Sequence, residues 1–344
     1  MIYRPVTPSD LERLRELLVA DPASPLTARQ FQIRFDNGEC RPEWSWIAEE
    51  PGEAPAAAAI WWGTPRDVLP ATLDGLFATA QAGSAPAADA EDSARLAAGL
   101  LAAAHDAYAA AGLKHPPDFH MFLPPDWRDR PEVIKAANWR LNAARRAGLT
   151  EMLERLRYEW TPAARVPQSA GRLTFRPEAD DDVFVDLFDR TLSGTLDVTS
   201  RKEAEASGAR AQAVSDVMFY RERMNGQRSW WRVAETSSGD LAGFGIPSRN
   251  TAVPVVGYLG VLPEHRGHGY VDEILAEVTR VLVAEAGATT IHADTDLENR
   301  PMSAAFDRAG YRIAGRRLVL SAARTTFLPS GSARSGTRSC RRRR

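Results

Sequence analysis

Residues 259 to 271 read Leu-Gly-Val-Leu-Pro-Glu-His-Arg-Gly-His-Gly-Tyr-Val, a glycine-rich loop set between a strand-like run and an amphipathic helical pattern. Glycines at 267 and 269 let successive backbone N–H groups curl toward one point. A helix N-terminus concentrates unpaired donors and roughly half a positive charge at that same point. Such chemistry suits an anion, and a pyrophosphate would fit. Arg266 adds a permanent cation, and His265 and His268 add donors. A glycine pair ahead of a helix also makes a plain strand-to-helix turn, so the loop alone leaves both readings open.

The elements that must position this loop are legible in residues 172 to 321. Trp230 to Ala234 and Leu241 to Ile246 read as a hairpin closed by Ser237-Ser238-Gly239-Asp240, and Val255 to Val261 as a third strand. Val271, Ile274, Leu275, Val278, Val281 and Leu282 fall at helical spacing up to Gly287. Thr289 to Asp294 reads as a strand, Pro301 to Ala309 as a helix, and Tyr311 to Leu320 as a last strand. Antiparallel strands followed by a strand-helix-strand unit predict a mixed α/β (α+β) fold, with a mostly antiparallel sheet covered by helices on both faces.

In this order, the loop resembles the pyrophosphate loop of the GNAT acetyltransferase superfamily, Arg/Gln-x-x-Gly-x-Gly/Ala. Arg266 and Gly269 match the first two fixed positions, and Val271 departs from the third. The resemblance extends downstream: Asn299 is followed by Phe306 at the seventh position, Gly310 at the eleventh and Tyr311 at the twelfth. It implies that Arg266, Gly267, His268, Gly269, Tyr270 and Val271 surround the phosphates of acetyl-coenzyme A. It further implies that Leu259, Gly260 and Val261 hold the pantetheine and that Asn299 contributes to the cofactor contacts. A substrate amine would attack the thioester directly. Asp294 is the candidate base with Asp296 behind it, and Tyr258 is the candidate hydroxyl donor. Asp197 and Asp296 are candidate substrate contacts. Phe306 stands where many members carry a tyrosine that protonates the departing thiolate, and phenylalanine cannot donate a proton. An acyl-coenzyme A binding protein without turnover is therefore the alternative to an N-acetyltransferase acting on a small-molecule or protein amine.

The first half repeats the pattern in outline. Tyr3-Arg4-Pro5 and Thr174-Phe175-Arg176-Pro177 each lead into a helix, with Thr7 and Pro8 suited to its first positions. Residues 143 to 149 resemble residues 304 to 311. The expectation is two tandem GNAT-like domains: residues 1–165 as a degenerate copy, residues 171–323 as the cofactor-binding copy, and residues 324–344 as a basic disordered tail. The layout is similar to that of mycothiol synthase. No phosphate loop precedes the helix near Ala94, and Asp89, Glu91 and Asp92 at its start would repel an anion.

Composition fits this picture. The apolar fraction is 44%, the charged fraction 26% and the formal charge -2, which predicts no general affinity for nucleic acid or anionic membranes. Cys40 and Cys340 lie far apart without metal-ligand spacing, so neither a disulfide nor a metal is expected. The alanine-rich run from Leu96 to Gly112 reads as a soluble helix, and the first residues lack a signal peptide's apolar run, which predicts a cytoplasmic protein. The seven arginines of residues 324 to 344 are read as a solvated end.

Overall fold

The computed structural model describes residues 1–79 and 87–323. The tail at 324–344, with Cys340, and the side chains of Ala88 and Asp89 lie outside the described residues. In the first half the chain forms β1 (Ile2–Pro5), α1 (Leu11–Leu17), α2 (Ala28–Asp36), β2 (Ser45–Glu49), β3 (Ala57–Trp62) and β4 (Thr72–Ala78). Then come α3 (Ala87–Ala110), β5 (Asp118–Leu123), α4 (Pro131–Arg146) and β6 (Glu151–Trp160). Thr7 and Pro8 open a 3-10 turn ahead of α1, and Thr7 and Asp10 cap it reciprocally. The run at Leu96 belongs to α3, and no helix among the described residues is long and apolar enough to cross a membrane.

The second half repeats this order with β7 (Leu173–Pro177), α5 (Asp181–Leu192), α6 (Val198–Ser207), α7 (Ala209–Met218), β8 (Arg232–Thr236) and β9 (Leu241–Arg249). It continues with β10 (Pro254–Val261), α8 (Tyr270–Ala284), β11 (Ile291–Asp296), α9 (Arg300–Arg308) and β12 (Arg312–Ser321). The expected strands and helices are present with ends shifted by a few residues. Helices α6 and α7 went unread because their apolar residues are few: Gln212, Ala213 and Val217 are the buried positions of α7, and α6 buries none fully.

One twelve-stranded sheet unites the halves, in the order β1-β2-β3-β4-β5-β12-β6-β11-β10-β9-β8-β7. The last strand of each half is exchanged. Strand β12, at the end of the chain's second half, pairs with β5 of the first, and β6 pairs with β11 of the second. The two exchanged strands pair with each other, and Arg155 faces Arg317 across the centre. Those two positions are separated by 162 residues, the offset at which the Ala-Gly helix ends repeat, so a pseudo-twofold axis passes between them. Each half thus completes its sheet with a strand of the other.

Helices cover both faces. Helix α8 lays Ile274, Leu275, Val278, Val281 and Leu282 against β9 and β10, all essentially inaccessible. Burying each such side chain contributes roughly 1.5 to 3 kcal/mol before the entropy of ordering is subtracted. On the opposite face α5 and α7 enclose Phe184, Phe188, Val217, Phe244 and Ile246.

Candidate functional site

Strand β10 carries a bulge between Val256 and Tyr258, and its parallel pairing with β11 is limited to Val255 opposite His292. Beyond that point the two strands part. Leu262 donates its N–H to Ala242 of β9. By strand alternation Gly260 and Tyr258 also face β9, whereas the N–H groups of Leu259 and Val261 turn to the open side. The Val261 carbonyl confirms this direction by accepting from Arg266 Nε at 3.2 Å. Two of the three expected pantetheine contacts therefore face the gap. Gly260 serves packing: a Cβ there would lie 2.8 Å from Thr191 Cγ2 of α5.

The gap leads to the glycine loop. Gly267 and Gly269 adopt φ of 82° and 72°, left-handed values that a side chain would strain, and Gly269 is the N-cap of α8. No main-chain acceptor among the described residues takes the N–H groups of residues 267 to 271. Tyr270 and Val271 begin the helix, and His268 is exposed. Arg266 does not project into this loop. Its guanidinium donates to Ser193 O at 2.6 Å and Thr191 O at 2.9 Å, satisfying carbonyls at the end of α5. It fixes the loop against α5.

A residue the sequence reading missed supplies a cation here. Arg172 donates to His268 O at 2.7 Å and to Glu273 Oε1 at 2.7 Å, and its guanidinium lies 5.1 Å from the Tyr270 ring centre. Burial by itself would raise the Glu273 carboxyl, but hydrogen bonds from Ser169 and Arg172 hold it below the usual carboxylate range. Asp272 pairs with Arg308 at 2.7 Å. Both acids in the first turn of α8 are thus neutralised, which keeps the helix end open to an anion. The signal in the sequence was an Arg just before the strand at Leu173, unreadable without its partner 101 residues later.

Asn299 caps α9 by accepting from the Met302 N–H at 3.4 Å. Phe306 is 2% exposed and stacks on Tyr158 of the exchanged strand β6, with ring centres 4.8 Å apart. Its place is in the core.

On the face of α5, the expected acids are engaged. Arg155 of β6 lies 3.1 Å from Asp296 and 3.2 Å from Asp197. Asp296 also accepts the Val198 N–H at 2.7 Å, and Asp197 caps α6 through the Ser200 N–H. These two carboxylates tie α6 to the sheet instead of standing free for a substrate. Burial would raise Asp294, yet Arg317, then Arg157 and Arg155, hold it below the usual carboxylate range. Tyr258 packs among Phe188, Phe244 and Tyr220, and its hydroxyl faces Thr191 and Ser200. Beside it, Tyr220 donates to Gly257 O at 2.7 Å, at the bulge. Asp216 of α7, near both tyrosines, is pushed up to about 7 by burial, against the pull of the Gln212 amide and with Glu203 and Asp197 adding to the rise. One of its oxygens has no hydrogen-bond partner.

The equivalent gap in the first half is closed. Strand β4 bulges beside Gly75 and pairs with β5 through Thr72 and Leu73, just as β10 does with β11. There Arg140 of α4, 1% exposed, donates to Leu76 O at 2.9 Å and to Asp21 at 2.7 Å. Leu76 holds the register position of Leu259. A guanidinium occupies the edge that the second half leaves open.

The acetyltransferase (GNAT) domain family matches residues 172–312. No curated protein sequence matches the chain. Among solved structures, it is similar to a GCN5-related N-acetyltransferase from Sphaerobacter thermophilus, with 16% identity and a TM-score of 0.54 over 92% of this chain and 94% of that one. It is also similar to a conserved protein of unknown function from Staphylococcus epidermidis, at 13% identity and TM-score 0.51 over 85% and 96%. A tandem GNAT protein of the clavulanic acid biosynthesis pathway aligns at 16% identity and TM-score 0.49 over 94% and 99%. At these identities the structural likeness is one of fold. Residues 172–312 therefore match the acetyltransferase (GNAT) domain family, and the chain has the GNAT fold.

Proposed function

We propose that the second half transfers an acetyl group from acetyl-coenzyme A to a primary amine of a small molecule or protein, by direct attack within a ternary complex. The observation that carries this reading is the parting of strands β10 and β11 just ahead of the N–H groups at the start of α8, which have no main-chain acceptor among the described residues. In this reading, Leu259 and Val261 hold the pantetheine, residues 267 to 271 hold the pyrophosphate, and Arg172 and Arg308 balance the acids of that helix. Asn299 lies at the start of α9 on the same side. Residues 1–165 act as a degenerate copy that supplies β6 to the working half, residues 171–323.

The proton of the attacking amine passes to a carboxylate whose pKa stands closer to neutrality than an ordinary aspartate's. Asp216 meets that condition and Asp294, held low by arginines, does not, so the base assignment moves from Asp294 to Asp216. Tyr258, which flanks the bulge, remains the candidate hydroxyl donor. The amine attacks the thioester carbon, the carbon–sulfur bond breaks, and the amide and free coenzyme A result. A second reading, binding without turnover, has Phe306 in its favour.

Release of free thiol from acetyl-coenzyme A across a panel of primary amines tests this. Amine-dependent release supports transfer. Binding of acetyl-coenzyme A with no release by any amine would favour the second reading, and absence of binding would remove both.

A further inference from the structure

Between the halves, on the face of α2 and α5, lies a cavity of about 450 Å³ lined by Asp21, Arg34, Phe122, Arg157 and Gly315 among others. That volume falls within the range of small-ligand sites. At the cavity's wall β12 carries glycine at 315, directly opposite Arg157 of β6, and Phe122 of β5 is opposite Arg317 of the same strand. The Arg157 guanidinium reaches across it to lie 5.1 Å from the Phe122 ring centre.

Among the described residues, the charges around the cavity are paired with one exception. Arg34 holds Asp74 at 2.8 Å, Arg140 holds Asp21 at 2.7 Å, Arg155 holds Asp296 at 3.1 Å, and Arg317 stands 4.0 Å from Asp294. Glu159 is 3.2 Å from His292. Arg157 has no carboxylate within ion-pairing distance among the described residues. Its polar partner is the His292 Nδ1 at 3.0 Å. His292 is the residue of β11 that pairs with Val255 at the point where β10 and β11 part. Arg157 is thus a planar cation with no carboxylate in direct contact among the described residues, lining a cavity with an aromatic wall and reaching His292 of β11.

We infer that the cavity between the halves is an anion subsite of the acceptor, and that the amine acetylated here also carries an anionic group, received by Arg157. This rests on the transferase reading of the parted strands. A carboxylate or phosphate is the shared chemistry, since both take a guanidinium through two parallel N–H donors. Strands in a sheet lie about 4.8 Å apart, so the amine and the anion are separated by about two strand spacings, roughly 10 Å. The residues that select the substrate come from β6, β12 and β5, and therefore depend on the exchange of strands between the halves.

The test uses the full chain and a series of ω-amino acids of increasing length, each paired with its methyl ester and with the phosphate monoester of the corresponding amino alcohol. Thiol release from acetyl-coenzyme A gives kcat/KM. For the wild-type protein, the anionic members long enough to span the gap are expected to exceed their esters at least tenfold, and carboxylate against phosphate identifies the anion. In Arg157→Gln that preference should fall to near one, and Arg157→Lys should retain part of it. Esters equal to or better than the acids in the wild-type protein would overturn the inference without touching the transferase reading, as would a preference that survives Arg157→Gln. If no amine reacts, transfer itself fails, and calorimetric titration of glutarate and inorganic phosphate decides the cavity. Binding weakened tenfold or more in Arg157→Gln keeps an anion site there, and no Arg157-dependent binding removes it.

Discussion

The two halves of this chain share one layout and diverge at one place, the edge of the strand that follows the bulge. In the second half Leu259 and Val261 leave that edge open, and a left-handed glycine loop delivers unpaired N–H groups beside it. In the first half Arg140 fills the edge at Leu76 and is itself held by Asp21. One buried, paired side chain of the first half thus fills the slot that the second half leaves open. The rest of the fold is kept because β6 and β12 are exchanged, and each half needs the other's last strand.

The comparison is broken most severely by removing the plug. Burial works against the charge of Arg140, and Asp21 opposes that effect. Arg140→Ala would take the guanidinium away from the Leu76 carbonyl and from the Asp21 carboxylate, which keeps the Ala23 N–H. It should destabilise the protein by about 3 to 5 kcal/mol, read as a shift in the urea midpoint, the usual cost of removing one partner of a buried ion pair. A change under about 1 kcal/mol would show that the plug is incidental.

Next in size is Arg266→Ala. The three carbonyls that receive its guanidinium, Val261, Thr191 and Ser193, lose a charged donor. Each such hydrogen bond contributes about 1.5 to 3 kcal/mol, less where solvent competes, as at this exposed residue. Stability is expected to fall by about 1 to 2 kcal/mol, and acetyl-coenzyme A affinity to fall only through loss of loop order. Unchanged stability with a hundredfold loss of affinity would instead place the side chain on the phosphates. Gly269→Ala forces a side chain into the left-handed region at the N-cap of α8, at a cost of about 1 to 2 kcal/mol. Acetyl-coenzyme A binding should weaken about tenfold in isothermal titration, and full affinity would mean that the loop tolerates another path.

The last effect concerns Asp216 and appears only as a dependence on pH. Its folded pKa, about 7, stands above the unfolded value, so its contribution to stability is complete below about pH 4 and is lost as pH rises through 7. Asp216→Asn should therefore gain stability relative to wild type at pH 8 but not at pH 4. As the proposed base its activity should rise with pH through about 7, and the variant should lose that limb. A rate profile flat between pH 6 and 8 in the wild-type protein would remove it from the proton path.

Local signals carried the sequence reading a long way. Helix α8 and its glycine loop, the cap at Asn299 and the strand at Val255 to Val261 are all set by residues a few positions apart, where periodicity and capping chemistry are direct. What escaped the sequence depends on partners distant in the chain. Arg140 meets Asp21 across 119 positions, and Arg172 meets Glu273 across 101. Arg155 ties Asp197 and Asp296, two acids that looked free for a substrate. Strand exchange leaves no mark on either strand, because β6 and β12 have the same alternation whichever neighbour they take.

The claim that only the second half keeps a coenzyme A site is tested most directly by calorimetric titration of acetyl-coenzyme A into the full chain, with the stoichiometry as the readout. One site per chain is predicted, weakened in Gly269→Ala. Two sites per chain, or one site that Gly269→Ala leaves at full strength, would contradict it.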